Sequence, residues 1–341
     1  MRITRLSVLP CFVALVACQS TAPPEASTAA STTETIRFGV VGDGPVIDPA
    51  DYGASYLLPG ATVVEAGTMH LWTVAFFADP AETPRVLHLT STDGVTWDGD
   101  ADASVLDDFA LELDGVGPVP SAAFIDGDGT WVMVGGGRRA GGVQPVIWRA
   151  TAPGPDGPWV AHPDPLLEPE AGGWDSAIVD HPTVLRTGDG YLMAYGGASR
   201  AFPNRNRIGF ATSDDGITWT RADAHLDGAD DDQALGPDAC GIDARTMVEP
   251  HLLPTEAGGQ LLVFGVMLEG SDTDLQLLTA TSADGRTWTC TPGVEGFGSD
   301  DIPGGPGLHA SAVIGVPDGP PILLVEVLGD DSSSLWLVRP D

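Results

Sequence analysis

A short unit recurs along this chain, and its spacing limits the possible folds more than any other feature. "TSTDGVTWD" (Thr90–Asp98), "TSDDGITWT" (Thr212–Thr220) and "TSADGRTWT" (Thr281–Thr289) share the pattern Ser-x-Asp-Gly-x-Thr-Trp. A degenerate copy, "ATAPGPDGPW", ends at Trp159. The tryptophans Trp97, Trp159, Trp219 and Trp288 lie 62, 60 and 69 residues apart. Recurrence at a near-constant period marks a solenoid or a propeller, because each repeat must bury its apolar faces against its neighbours.

The residues around each unit repeat as well. In the third copy "HPTVLR" (His181–Arg186) is followed by the turn "TGDG", the run "YLMAYGG", a polar loop, "RIGFATS", the turn "DDG" and "ITWTR". That reads as four short strands joined mostly by hairpins. The other copies divide in the same way. The fifth copy, "SAVIGV", "PILLVEVL" and "SLWLVRP", has only three strands before the sequence ends. "TIRFGVV" (Thr35–Val41) is left over at the other end and can supply the fourth, which closes the ring and removes exposed sheet edges. The expected fold is all-β: a five-bladed β-propeller of four-stranded antiparallel blades, closed by an N-terminal strand.

The first residues differ from the rest. Arg2 and Arg5 precede an apolar run that ends in "LVAC" (Leu15–Cys18), which reads as a signal peptide over 1–17. The cysteine after Leu-Val-Ala resembles a bacterial lipobox, which implies lipid attachment to Cys18. Residues 18–34, rich in Ser, Thr, Ala and Pro, read as a flexible tether, and 35–341 as the folded domain. The expected location is the cell envelope, reached by secretion, with the lipid as the sole membrane contact.

Lysine is absent, and the formal charge is −33. That balance excludes nucleic acid as a partner, since its binding needs a basic footprint. Of the four cysteines, Cys11 belongs to the signal and Cys18 to the lipid. Cys240 and Cys290 remain, in an oxidising compartment, and are expected to form a disulfide. The protein is expected to be a monomer.

Strand order also assigns a face to function. The Asp-Gly turns and the turns after first strands lie at one end, the bottom. The long connections between blades lie at the other, where a rigid scaffold presents binding residues. Polar residues stand where innermost strands reach that top centre: Asp180 and His181 in "VDHPTV", Glu249 and His251 in "VEPHLL", and His309 in "GLHASA". Trp174 and Asp175 in "GGWDSA", Tyr195, Arg138, Arg200 and Arg245 are further candidates. Three imidazoles and a carboxylate would suffice for zinc or copper, with His181, His251 and His309 as ligands.

"WDSAIVDHPTVL", "GYLMAYGG", "IGFATSDDGITWTR" and "VEPHLL" resemble the five-bladed glycoside hydrolases of the invertase, levanase and arabinanase-like group. The resemblance covers the whole folded domain and is strongest in blades three and four. It implies hydrolysis of glycosidic bonds by carboxylates at the top centre, one protonated and one ionised. It assigns Glu249 as the acid and Asp180 or Asp175 as a second carboxylate. It also allows a channel Ca2+ ion. The chain departs from the pattern at two places. His181 stands beside Pro182 where the group commonly has aspartate, and blade one reads "LLPGATVV" with no Asp-Pro. Two alternatives therefore accompany the enzyme. One is a non-catalytic carbohydrate-binding propeller in which Trp174 and Tyr195 stack on sugars and Arg138, Arg200 and Arg245 bind their polar groups. The other is a metal-binding propeller.

Overall fold

The structure, a computed structural model, describes residues 38–340 apart from 80, 107–110, 113–117, 140–143, 189, 223–224, 227–233, 237–239, 242–243, 256, 269–274, 291–296, 304–306, 316–320 and 330–331. The chain divides into a unit of residues 1–34 and a unit of residues 35–341. The expected signal peptide, Cys18 and the tether lie outside the described residues.

The second unit is a β-propeller of five antiparallel blades. In blade three the strands run Ile178–Thr187, Gly190–Ser199, Phe202–Ser213 and Thr220–Ala222, from the axis outward. Blade four runs Ala244–Pro254, Gln260–Leu268, Leu275–Ser282 and Thr287–Cys290. Blade five takes Leu308–Ile314, Ile322–Leu328 and Ser333–Pro340 from the C-terminal end. Its outer strand is Phe38–Val40, paired with Ser333–Pro340 in the register Phe38 to Pro340 and Val40 to Val338. The ring is thus closed by the two ends of the domain, as the repeat count requires.

The repeated unit builds one turn three times over. Ser91, Ser213 and Ser282 each accept a hydrogen bond from the glycine N–H three residues on, at 2.8, 2.9 and 2.9 Å. The Oδ1 atoms of Asp93, Asp215 and Asp284 accept from the two backbone N–H groups beyond the glycine, at 2.7–2.8 Å. Gly216 sits at φ 69°, a left-handed conformation that glycine adopts without a Cβ clash.

The tryptophan of each unit fills the seam with the preceding blade. Trp97 packs in the seam between blades five and one, Trp159 between one and two, Trp219 between two and three, and Trp288 between three and four. Trp336 fills the seam between four and five. Strand alternation explains the five clusters. Leu192 and Ala194 face blade four, whereas Met193 and Tyr195 face blade two. Middle strands are therefore apolar on both faces. Cys240 and Cys290 form a disulfide, with Cα atoms 5.4 Å apart, that pins the loop before blade four to its outer strand.

Candidate functional site

Each innermost strand is interrupted at the same height above the axis. In blade one the strand breaks between Tyr56–Leu58 and Thr62–Glu65. In blades two to five the register shifts between Pro120 and Ala122, Asp180 and Thr183, Val248 and His251, and Leu308 and Ala310. Proline explains four of the five, since Pro59, Pro120, Pro182 and Pro250 stand at these breaks and cannot donate to the ladder. A bulge rotates its residues out of the strand alternation. His181 and Glu249 take it further: both are left-handed, at φ 45° and 51°. Non-glycine residues rarely accept that geometry, and its occurrence twice at one level marks a site that the surrounding structure enforces.

The bulges frame a narrow pocket on the axis, lined by Leu58, Gly60, Val119, Ser121, His181, Glu249, His251 and Ser311 among others. Its walls differ. Blades one and two contribute mostly apolar groups, Leu58, Pro59, Val119 and Pro120, with Ser121 the polar exception. Blades three and four contribute His181, Glu249 and His251. Glu249 reaches blade five, where its Oε2 accepts from the Ser311 N–H at 2.9 Å. Burial raises the Glu249 carboxyl pKa, against the lowering effect of His181 and His309. His251 lies beside it, with Nε2 3.2 Å from Ser311 Oγ. Burial, with His181 as a lesser cause, lowers its pKa to about 4, so it is neutral at neutral pH.

Behind this pair stand two carboxylates. Asp180 is buried, with Oδ2 3.4 Å from His181 Nδ1 and Oδ1 accepting from the His181 N–H at 2.8 Å. Its carboxylate lies over Gly136 of blade two, where a side chain would collide with it. Asp180 therefore supports His181 and does not line the pocket. Glu326, only 1% exposed, holds His309 through a 2.9 Å contact between Oε2 and Nδ1. That contact, together with the charge of Glu326, raises the His309 pKa. Sequence reasoning missed Glu326, although a single carboxylate inside the apolar run "PILLVEVL" was a usable signal.

Several expectations are corrected. Asp175 is fully buried away from the pocket, 2.8 Å from Arg221 Nη2 and accepting from the Tyr195 hydroxyl at 3.0 Å. Tyr195 is 1% exposed, and Trp174 stacks on it at 5.6 Å, so both rings pack the blade and do not present a sugar platform. Tyr56, two residues before Leu58 and stacked on Phe76, is an exposed aromatic. Arg138, Arg200 and Arg245 do not line the pocket. His181 and His251 line the axial pocket, whereas His309 is outside its lining and committed to Glu326, and His251 bonds Ser311. Among the described residues no three His, Cys, Asp or Glu side chains converge to hold a metal ion, so the donors do not fit one.

No protein-family model and no curated protein sequence matches the chain. Solved structures do. A family 117 glycoside hydrolase from Zobellia galactanivorans aligns with a TM-score of 0.62 at 12% identity, over 90% of this chain and 91% of that one. An endo-arabinase from Bacteroides thetaiotaomicron aligns with a TM-score of 0.53 at 14% identity, over 89% and 97%. Fructan 1-exohydrolase IIa from Cichorium intybus aligns with a TM-score of 0.57 at 16% identity, over 88% of this chain and 57% of its own length. These likenesses establish a shared fold.

Proposed function

We propose that this chain acts on glycans as a glycoside hydrolase-like propeller, with the axial pocket as its active site. One observation carries the reading. Glu249, forced into the pocket by a left-handed bulge, is a carboxyl whose pKa is raised by burial, as a general acid at neutral pH requires. Its proton goes to the glycosidic oxygen as the bond to the anomeric carbon breaks. Water attacks that carbon and gives its proton to a base. Leu58 occupies the wall where the resembling hydrolases carry an aspartate, so the base comes from elsewhere. His181 fits, because it lines the pocket and Asp180 holds its Nδ1 side. The solved neighbours that are glycoside hydrolases support this reading through their fold.

A second reading, a carbohydrate-binding propeller without turnover, draws on the same apolar wall of Leu58 and Val119. One experiment separates the two. On a panel of furanosides and pyranosides, Glu249→Gln is expected to lower kcat by about 100-fold or more, with the fold intact. Wild-type kcat should fall as pH rises through the raised Glu249 pKa, because the acid form is then lost. Glycan binding with equal inactivity of wild type and variant selects the second reading. We also propose that Cys18 anchors the domain to the envelope by lipid. Labelling with radioactive palmitate should disappear in Cys18→Ser, and labelling that persists there rules this out.

A further inference from the structure

The charge of this chain is unevenly spread. Asp and Glu number 48 of 341 residues, yet residues 190–213 contain neither. That window is the hairpin of Gly190–Ser199 and Phe202–Ser213 in blade three, and its tip carries Arg200, Arg205 and Arg207. Phe202 is 61% exposed, and the Arg205 guanidinium lies 5.8 Å from its ring centre. Arg200 is anchored by its backbone N–H to Ser176 Oγ, at 3.2 Å, and by Nε to the Ser176 carbonyl, at 3.1 Å. Among the described residues no carboxylate forms an ion pair with Arg200 or Arg205.

The hairpin shares a rim with the axial pocket. Ser176 leads directly into the strand that carries His181. Asn206 donates its N–H to Thr246 Oγ1 at 2.9 Å, three residues before Glu249. The tip is therefore braced against both strands that supply the polar wall.

We infer that this hairpin tip is an outer subsite for an anionic glycan, one bearing carboxylate or sulfate groups. A guanidinium pairs with such groups through two parallel N–H donors, and Arg200 still has both terminal nitrogens for this. Phe202 offers an apolar face to a sugar ring. A protein of charge −33 repels polyanions over most of its surface, so an arginine-bearing hairpin whose own residues include no acid is where one can approach. This inference rests on the glycan-acting reading above and narrows its substrate class.

Calorimetric titration tests it with three probes: an oligogalacturonate, the same oligomer as its neutral methyl ester, and a sulfated galactan oligosaccharide. Wild type is expected to bind an anionic probe about tenfold or more tighter than the neutral ester. Arg200→Ala/Arg205→Ala should abolish that preference, with unchanged affinity for the neutral probe and an unchanged Tm. Whichever anionic probe binds identifies carboxylate or sulfate as the recognised group. Equal binding of all three, no binding of any, or a preference that survives the double substitution would overturn the inference. Glu249→Gln, run in parallel, keeps the two proposals apart. An arginine-dependent preference without Glu249-dependent turnover sinks only the catalytic reading. Turnover without the preference sinks only this one.

Discussion

Asp175 and Glu249 are both acids that the sequence sets close to the propeller axis, and their partners give them opposite roles. Asp175 meets Arg221 and the Tyr195 hydroxyl in a closed interior, where an ionised carboxylate is compensated. Glu249 meets backbone N–H and imidazoles at an open pocket, where burial outweighs them and favours the proton. Asp175→Asn therefore removes the nearest counter-charge of the partly buried Arg221 and leaves it the longer 3.8 Å pairing with Glu170. It should lower unfolding free energy by roughly 3 kcal/mol in urea, with glycan affinity unchanged once folded. A stability loss near zero would make Asp175 a functional candidate again. The fate of Asp175 was not legible in "GGWDSAIVDHPTVL", because Arg221 lies 46 residues away.

At the scale of elements, the turns were legible and the bulges only partly so. Ser-x-Asp-Gly closes its own hydrogen bonds within a few residues, so its structure follows from local chemistry. The bulges depend on the facing strand, yet they left a trace: a proline within four innermost strands, each the inner edge of its blade, where a residue that cannot donate to the ladder marks a bulge. One element was not anticipated at all. In the seam between blades one and two, His70 Nδ1 lies 2.9 Å from His88 Nε2, and His88 Nδ1 lies 2.7 Å from Asp156 of the degenerate turn. Trp72 and Trp131 cover the His70 ring, and burial lowers its pKa, with His88 adding to this and Glu65 and Asp156 opposing it. A lowered pKa means that the folded state favours the neutral ring. Its contribution is complete above about pH 6.5 and is lost as pH falls through the lowered value. Asn at position 70 keeps a donor toward His88 but does not titrate. The drop in Tm between pH 7.5 and pH 5.5 should be smaller in His70→Asn than in wild type, and an equal drop contradicts the assignment.

Across the whole molecule, five apolar seams and two closures hold the ring. Phe38–Val40 completes blade five, so the last blade depends on residues some 300 positions earlier in the chain. The Cys240–Cys290 bridge closes a loop of 50 residues, worth about 4 kcal/mol on chain-entropy grounds. The sequence by itself determined the blade number, their order, the Asp-Gly turns, the bottom face and the pairing of the two ends. Those properties follow from a period and from hydrogen bonds that span few residues. Only the tertiary structure decided which polar side chains face the axis and which face a seam. A bulge or a partner on another blade reverses that choice, and it placed Glu249 and His181 in the pocket while it buried Asp175 and Tyr195.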